Sequence, residues 1–204
     1  MHYTGTIWRP PYEASSLLLE ATAGCTHHRC KFCTLYADLP FPFRMSRLSD
    51  MEEDLKEAEE LYHHRMGRRM SRVFLTGANP FVLKYEKLMK IAERIRAYFP
   101  EVKTIGSFAR VTDITGKTDE ELAALGRAGY DGLTIGMETA DETALAFMDK
   151  GYRASDILEQ CSRLDGAGIH YSFFYLAGIS GAGCAEAGAK ATADVCNRLH
   201  PMLI

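Results

Sequence analysis

The sequence carries, near its first third, the apolar run Arg72-Val73-Phe74-Leu75-Thr76, which ends at Gly77 and is typical of a buried strand. A pattern of helical period follows over residues 85–98, with Pro100 just beyond it. A second apolar run then covers residues 102–108. Strand, helix and strand in this order predict a βαβ unit with two parallel strands and a right-handed crossover.

The same alternation extends in both directions along the chain. Strands are predicted at residues 16–22, 132–137 and 169–176, with a short sixth strand at 201–204. Helices are predicted over residues 155–164 and 185–199, and capping boxes at Ser49-Asp50-Met51-Glu52 and Thr118-Asp119-Glu120-Glu121 mark the starts of two more. The pattern predicts an α/β fold with a parallel sheet, either an open doubly wound sheet or an incomplete barrel.

Polar residues that are suited to chemistry follow the predicted strand ends. A cysteine cluster follows the first strand, Asn79 the second, Arg110 the third and Glu138 the fourth. The carboxyl ends of parallel strands share one edge of a sheet, so these residues are expected to lie close together.

The cysteine cluster is Cys25-Thr26-His27-His28-Arg29-Cys30-Lys31-Phe32-Cys33, with the spacing C-x4-C-x2-C. Three thiolates on one loop can bind three corners of an iron–sulfur cubane and leave one iron without a protein ligand. A structural zinc site needs four ligands, and His27 or His28 is the only nearby candidate for the fourth. The spacing favours an iron–sulfur cluster, with a zinc-binding α/β module as the alternative.

Composition narrows the possible partners. The 204 residues are 47% hydrophobic, which is enough for one core, and the net charge of −3 provides no general attraction for nucleic acid. The sequence starts without an apolar signal segment and contains no apolar run of membrane-spanning length. We therefore expect a cytoplasmic protein that has no membrane segment, and the composition gives no strong signal for a nucleic-acid partner.

The cysteine spacing resembles that of the radical S-adenosylmethionine (SAM) superfamily, in which C-x3-C-x2-C carries an aromatic residue before its last cysteine. Phe32 occupies this aromatic position, and the first spacer here has one additional residue. The resemblance extends over nearly the whole chain. It implies a partial (β/α)6-type parallel barrel in residues 16–204, truncated at its sixth strand, after an N-terminal extension of residues 1–15. Arg9-Pro10-Pro11 and the segments around Arg110 and Glu138 resemble the branch with methylthiotransferases and oxygen-independent coproporphyrinogen oxidase.

The resemblance also implies roles for residues after the strands. Gly77-Ala78-Asn79 stands where the family receives the amino group of SAM, although an ordinary strand-to-helix turn has the same pattern. Glu138, in Gly136-Met137-Glu138-Thr139, corresponds to the glutamate that contacts the ribose hydroxyls; the alternative is a carboxylate at a helix N-terminus.

Three further contacts to SAM are implied. Ser107 and Arg110 are expected at its carboxylate, and Leu176 or Ile179 at its adenine ring. Arg110 could instead be a surface charge. The glycine-rich segment 178–183 lacks the Lys-Ser/Thr of a phosphate-binding P-loop, which disfavours a phosphate-binding α/β enzyme as a further alternative.

The function implied by the resemblance is that of a radical SAM enzyme. A [4Fe–4S] cluster on Cys25, Cys30 and Cys33 would cleave SAM reductively to a 5′-deoxyadenosyl radical, which abstracts hydrogen from a substrate. The cofactors are then the cluster and SAM, and the partners are a small-molecule substrate and an electron donor of the flavodoxin or ferredoxin type. The sequence does not identify the substrate.

Overall fold

The computed structural model describes residues 1–204. Its strands, in chain order, are β1 (Leu17–Glu20), β2 (Thr22–Gly24), β3 (Phe43–Met45), β4 (Arg72–Thr76), β5 (Thr104–Ala109), β6 (Tyr130–Glu138) and β7 (Tyr171–Tyr175). Its α-helices are α1 (Leu48–Glu59), α2 (Tyr85–Tyr98), α3 (Val111–Thr115), α4 (Asp119–Arg127), α5 (Glu142–Phe147), α6 (Ala154–Ala167) and α7 (Ala185–Cys196). A π-helical segment, Glu60–Arg65, continues α1, and short 3-10 turns occur at Pro11–Glu13 and Pro80–Val82.

Five of the strands form one parallel sheet in the order β1-β4-β5-β6-β7. All four pairings between neighbours are parallel. The order in the sheet is the order along the chain, with β2 and β3 inserted between β1 and β4. This arrangement confirms the predicted α/β class with a parallel sheet. The sheet is not closed into a barrel.

The predicted strand over residues 16–22 is divided in the structure. β1 ends at Glu20 and pairs with β4, whereas β2 starts at Thr22 and forms a separate antiparallel pair with β3. Gly24, with a φ of +78°, faces the backbone of Pro42 so closely that a side chain would collide with its carbonyl group. The two-stranded unit β2–β3 brackets the cysteine loop.

The prediction of a sixth strand at residues 201–204 was wrong, although this segment does lie beside β7. Residues 201–204 have no regular secondary structure. Met202 N–H donates to the carbonyl of Tyr171 over 2.7 Å, and Phe173 N–H donates to the carbonyl of Leu203 over 3.0 Å. The segment therefore runs beside β7 in the parallel direction without completing a ladder.

One of the two predicted capping boxes is confirmed. The Thr118 hydroxyl accepts from Glu121 N–H over 3.2 Å, and the Glu121 carboxylate accepts from Thr118 N–H over 2.9 Å. The box predicted at Ser49 was wrong, because α1 begins at Leu48 and has Arg47 at its cap position. Ser49 lies inside the first turn and donates to the Asp50 carboxylate instead.

The two faces of the sheet differ because side chains alternate along each strand. Val73, Leu75 and Ile105 point to the helical layer and belong to a core of 39 buried apolar residues. Phe74 and Phe108 lie on the opposite face, which we call the inner face, and their rings contact each other at a centroid distance of 5.1 Å.

None of the helices is long and apolar enough to cross a membrane.

An ion pair between a buried carboxylate and a partly buried guanidinium fixes the N-terminal segment at the amino end of the sheet. The Arg72 guanidinium donates to both carboxylate oxygens of Glu13 over 2.6–3.0 Å, and to the Thr104 hydroxyl over 2.9 Å. Glu13 is only 1% exposed. Gly106 and Gly132 make room for the guanidinium, because a Cβ at either position would lie within 2.6 Å of its Nη2 atom.

The Arg72–Glu13 pair yields a stability prediction. Replacing Arg72 with Met leaves the Glu13 carboxylate buried without its cation, so we expect a loss of about 3–5 kcal/mol in the free energy of unfolding. Urea denaturation, monitored by circular dichroism, measures this loss. The double variant with Glu13→Gln should recover much of the loss.

The matched control is Arg94→Met, because the Arg94 side chain is 52% exposed in its ion pair with Glu52. An exposed pair of this kind contributes at most about 1 kcal/mol. Equal destabilisation by Arg72→Met and Arg94→Met would contradict the role assigned to the buried pair.

Candidate functional site

A cavity of about 330 Å³ lies at the carboxyl ends of the parallel strands. Its wall contains all three clustered cysteines together with residues from β5, β6 and the N-terminal segment. The lining residues are Trp8, Arg9, Cys25, Cys30, Phe32, Cys33, Leu35, Tyr36, Ala78, Phe108, Ala109, Arg110, Gly136, Glu138, Lys150 and Phe174.

The cysteine loop is fixed at both ends by backbone hydrogen bonds. Cys25 N–H donates to the carbonyl of Pro42 over 2.8 Å, which ties the loop to the β2–β3 unit. Lys31 N–H donates to the carbonyl of Met148 over 3.1 Å, and Cys33 N–H to that of Cys30 over 3.0 Å. The loop therefore holds its thiols in place without a disulfide, since all six cysteines of the chain are free.

His27 fastens the middle of the same loop. Its side chain is 6% exposed, and its Nε2 atom donates to the backbone carbonyl of Asp149. Burial lowers the pKa of His27, so the ring is held in its neutral form. Gly151 makes room for the ring, because a Cβ there would lie 2.7 Å from the Cε1 atom of His27.

Asn79 does not line the cavity, although it was predicted to contact SAM. It is completely buried, and its Nδ2 atom donates to the Thr26 hydroxyl over 2.7 Å and to the Asp113 carboxylate over 3.0 Å. Burial raises the pKa of Asp113 to about 6, although the carboxylate also accepts from the backbone N–H of Arg110 over 2.8 Å. Asn79 thus connects the cysteine loop to the N-terminus of α3.

Glu138 lies at the end of β6 with its carboxylate in the cavity wall. Its backbone has a φ of +64°, a left-handed conformation that costs a non-glycine residue on the order of 1–3 kcal/mol. A Cβ at Gly136 would lie 2.8 Å from the Oε1 atom of Glu138. Glycine at 136 thus leaves the space into which the Glu138 carboxylate folds back over the strand, and a side chain at this position would displace the carboxylate.

Lys150 is the buried cation of the cavity, and no sequence pattern pointed to it. Its side chain is 4% exposed, and its Nζ atom lies 3.0 Å from the carbonyl oxygen of Gly136 and 3.4 Å from Oε1 of Glu138. The same atom lies 5.5 Å from the centre of the Phe32 ring. Lys150 therefore joins the aromatic residue of the cysteine loop to the carboxylate of β6.

Arg110 was predicted at the site, and the structure places it in the cavity wall. One of its terminal nitrogens donates to the carbonyl of Lys150 and the other to the Thr112 hydroxyl over 3.2 Å. These bonds hold the guanidinium over the end of β5, beside the Glu138–Lys150 pair.

Four of the other predicted residues do not line the cavity. Ser107 is buried and donates to the Phe108 carbonyl, and strand alternation places it on the helical side of β5. Gly77, with a φ of +124°, packs against the backbone of Thr22. Leu176 N–H donates to the carbonyl of Glu138, and Ile179 is buried one turn later.

Apart from Phe32, which was predicted and lies in the wall, the sequence reasoning missed the aromatic residues of the cavity. Phe108 and Phe174 lie two strands apart in the sheet, and their rings are 6.3 Å apart. Period-two alternation along β5 could have separated Phe108 from Ser107 before the structure was known. Trp8, Arg9 and Lys150 had no comparable signal, because their positions depend on contacts between distant segments.

The three thiols do not converge on one point. No group of three or more His, Cys, Asp or Glu side chains is arranged to hold a single metal ion. A mononuclear zinc site requires such convergence, whereas thiolates that bind different irons of a cluster do not share one centre. The donor set fits an iron–sulfur cluster, and no observation favours the zinc-binding module.

Comparison with known families gives one match that covers most of the chain. The family model described as the radical SAM superfamily matches residues 19–181. A comparison with curated proteins finds no significant match.

Several solved structures share the fold. The cobalamin-dependent S-adenosylmethionine radical enzyme OxsB, with aqua-cobalamin and S-adenosylmethionine bound, is 16% identical over 93% of this chain and 28% of its own, with a TM-score of 0.70. The radical S-adenosylmethionine methyltransferase TsrM from Kitasatospora setae is 18% identical over 93% and 35%, with a TM-score of 0.68. Coproporphyrinogen III oxidase (HemN) from Escherichia coli, a radical SAM enzyme, is 17% identical over 92% and 42%, with a TM-score of 0.60. The chain thus spans less than half the length of each.

The position of His27 yields a prediction about iron binding. His27→Ala should leave the iron content after anaerobic reconstitution near that of the wild type, because the ring already donates to a backbone carbonyl. The lost hydrogen bond should lower the free energy of unfolding by about 0.5–1.5 kcal/mol. His28→Ala is the matched control, since His28 is exposed in the same loop. Loss of the cluster in the His27 variant, with the fold intact, would identify the residue as a ligand.

Proposed function

The chain belongs to the radical SAM superfamily, and we propose that it is the SAM-binding core of an enzyme that uses a [4Fe–4S] cluster to cleave SAM reductively. One observation carries the proposal. Cys25, Cys30 and Cys33 share the wall of one cavity with Arg110 and Glu138, although these residues follow three different strands.

Cys25, Cys30 and Cys33 would hold the cluster, each as a thiolate. When bound and reduced, the cluster supplies the electron that cleaves SAM to methionine and a 5′-deoxyadenosyl radical, which takes hydrogen from the substrate. The chain positions the reactants and keeps water out. The apolar rings of Phe32 and Phe108 in the wall serve this exclusion.

Arg110 and Glu138 are proposed to orient SAM. The guanidinium of Arg110 suits the SAM carboxylate, because an Arg–carboxylate contact combines charge with paired hydrogen bonds. The Glu138 carboxylate can accept from both ribose hydroxyls, as carboxylates do in dinucleotide sites. Lys150 prevents free rotation of Glu138 through its contact at 3.4 Å.

The Gly77-Ala78 segment is proposed to receive the SAM amino group. Ala78 lines the cavity, whereas the Asn79 amide is engaged with Thr26 and Asp113. Asn79 would then support the site indirectly, because it holds Thr26, the residue next to Cys25, in place. This division of roles explains how an amide can replace the carboxylate that the family carries at this position.

Leu176 and Ile179 are proposed to border the adenine ring. Their segment joins Glu138 directly, because Leu176 N–H donates to the Glu138 carbonyl over 2.9 Å. Ser107 is assigned a supporting role, since it lies on the helical side of β5 directly before the cavity-lining Phe108.

The environment of the enzyme is also proposed. Six free cysteines suit a reducing compartment, which supports a cytoplasmic location. A small-molecule substrate is proposed from the similarity to the radical SAM superfamily. Reduction of the cluster requires an external donor of the flavodoxin or ferredoxin type.

One prediction of the proposed function concerns cluster binding and the cleavage of SAM. Anaerobic reconstitution with iron and sulfide should give one oxygen-sensitive [4Fe–4S] cluster per chain, and dithionite with SAM should then release 5′-deoxyadenosine. Cys33→Ala should lose both the cluster absorbance and the product. Cys184→Ala is the control, because Cys184 is exposed and lies outside the cavity. The proposal would be contradicted if Cys33→Ala kept its full cluster content. It would also be contradicted if the reconstituted protein bound SAM but formed no 5′-deoxyadenosine.

Another prediction of the proposed function concerns the affinity for SAM. Glu138→Ala leaves the ribose hydroxyls without their acceptor and should weaken SAM binding by about 1–3 kcal/mol. Isothermal titration calorimetry of the reconstituted protein measures the change. Glu142→Ala is the matched control, since that side chain is 50% exposed on the nearby α5. Equal affinities for the two variants would remove Glu138 from the SAM site.

A further inference from the structure

Residues 148–152, which follow α5 and which we call the connecting segment, join separate parts of the candidate site. Three consecutive carbonyl groups of this segment, at residues 148, 149 and 150, accept hydrogen bonds from outside it. Their donors are, in the same order, the Lys31 N–H over 3.1 Å, the His27 ring and the Arg110 guanidinium. The connecting segment therefore ties the cysteine loop to the end of β5.

Two side chains of the connecting segment hold the end of β6. The Lys150 Nζ atom lies 3.0 Å from the carbonyl oxygen of Gly136 and 3.4 Å from Oε1 of Glu138. The Tyr152 hydroxyl lies 2.8 Å from the same Gly136 oxygen and 3.0 Å from the carbonyl oxygen of Met137. One short segment thus fixes the cysteine loop, the end of β5 and the Glu138 carboxylate relative to one another.

The contact with Lys150 uses only one of the two carboxylate oxygens of Glu138. Oε1 is the atom that faces both Gly136 and the Lys150 ammonium. Oε2 accepts from no protein donor, and the buried polar side-chain atoms without a partner are two threonine hydroxyls. Oε2 is therefore accessible, so Lys150 holds the carboxylate by one oxygen and leaves the other for a ligand in the cavity.

Lys150 is the buried cation among the three cations of the cavity wall. Arg9 is exposed and donates to the carbonyl of Ala14, and Arg110 is half-buried. The Lys150 side chain is only 4% exposed, so solvent and salt screen its charge least. The groups of the same wall that are anionic when a cluster is bound are Glu138, Cys25, Cys30 and Cys33.

The ammonium group of Lys150 also lies near the cysteine loop. Its Nζ atom is 5.5 Å from the centre of the Phe32 ring, and Phe32 stands between Cys30 and Cys33 in the sequence. A [4Fe–4S] core with three thiolate ligands carries a net negative charge, which increases when the cluster is reduced. A cation beside the loop therefore stabilises the reduced cluster more than the oxidised one.

We infer that Lys150 is a positioning residue for both cofactors: it holds the Glu138 carboxylate for the SAM ribose, and its charge favours the reduced cluster. The inference rests on the proposed function, which assigns the cluster to the cysteines and the ribose to Glu138. The electron that reduces the cluster comes from the external donor. Lys150 keeps its proton, and no bond to it forms or breaks.

SAM affinity tests the contact with Glu138. Lys150→Gln removes the charge and keeps a donor for the Gly136 carbonyl, and calorimetry of the reconstituted, oxidised protein should show SAM binding about tenfold weaker. Lys150→Arg keeps the charge and should bind SAM within about threefold of the wild type. In the Glu138→Gln background, Lys150→Gln should weaken binding by less than about twofold, because the contact through which it acts is already absent.

The midpoint potential of the cluster tests the charge. It is measured without SAM by a redox titration that follows the electron paramagnetic resonance of the reduced cluster. Lys150→Gln should shift the potential to a more negative value, and Lys150→Arg should leave it near that of the wild type. Tyr152→Phe is the matched control, because it removes neutral hydrogen bonds of the same segment. It should lower the free energy of unfolding without moving the potential.

The inference is overturned if Lys150→Gln binds SAM as the wild type does, or if its potential is unchanged. It is also overturned if Tyr152→Phe reproduces both effects, since altered packing alone would then explain them. If Lys150→Gln does not hold a cluster, the double variant with Glu138→Gln has no carboxylate left without its cation. An unchanged potential in the double variant, relative to Glu138→Gln, then overturns the inference.

Release of 5′-deoxyadenosine by the wild type is measured in the same samples. Product formation with no effect of Lys150→Gln rejects the positioning role and leaves the proposed function intact. Absence of product, with the cluster and SAM bound, rejects the radical chemistry. The changes in affinity and potential still decide the role of Lys150 in that case.

Discussion

Parallel pairing is the constraint on which the site depends. Each of the five strands in the order β1-β4-β5-β6-β7 delivers the residue after its carboxyl end to the same edge of the sheet. Ala78 and Arg110 follow β4 and β5, Glu138 ends β6, and Cys25 follows β2 shortly after the end of β1; all four line one cavity. The helical layer packs on one face of the sheet and does not cover the edge at the cavity. Side chains at this edge can therefore bind ligands instead of packing in the core.

Charged groups are buried in contact with partners both beside the cavity and at the amino end of the sheet. Glu13 is held by Arg72, Asp113 by Asn79, and Lys150 by a backbone carbonyl. Removing a partner from a buried charge costs more than the contact contributes, so such groups fix the geometry of what they touch. The two buried side-chain atoms without a protein partner are neutral threonine hydroxyls. Rigid support of this kind suits the proposed role of the site, which is to hold SAM in one orientation.

The sequence-based predictions succeeded where local chemistry is sufficient. Apolar runs and helical periodicity predicted the parallel α/β sheet, and the cysteine spacing predicted the family that the comparison confirms. The Thr118 capping box formed as predicted because both its partners lie within one turn. The box predicted at Ser49 was wrong, since the local signal did not specify that α1 begins at Leu48.

The sequence alone therefore determined the succession of the five sheet strands and of the longer helices, the three thiols and the residues at the strand ends, because each is encoded within a few neighbouring positions. Only the tertiary structure decided that Asn79 turns to Thr26, that Lys150 joins Glu138, and that Trp8 and Arg9 enter the cavity. These arrangements depend on which distant segments share a space. A residue's neighbours in three dimensions, and the need to satisfy every buried polar group, select among the contacts that its side-chain chemistry permits.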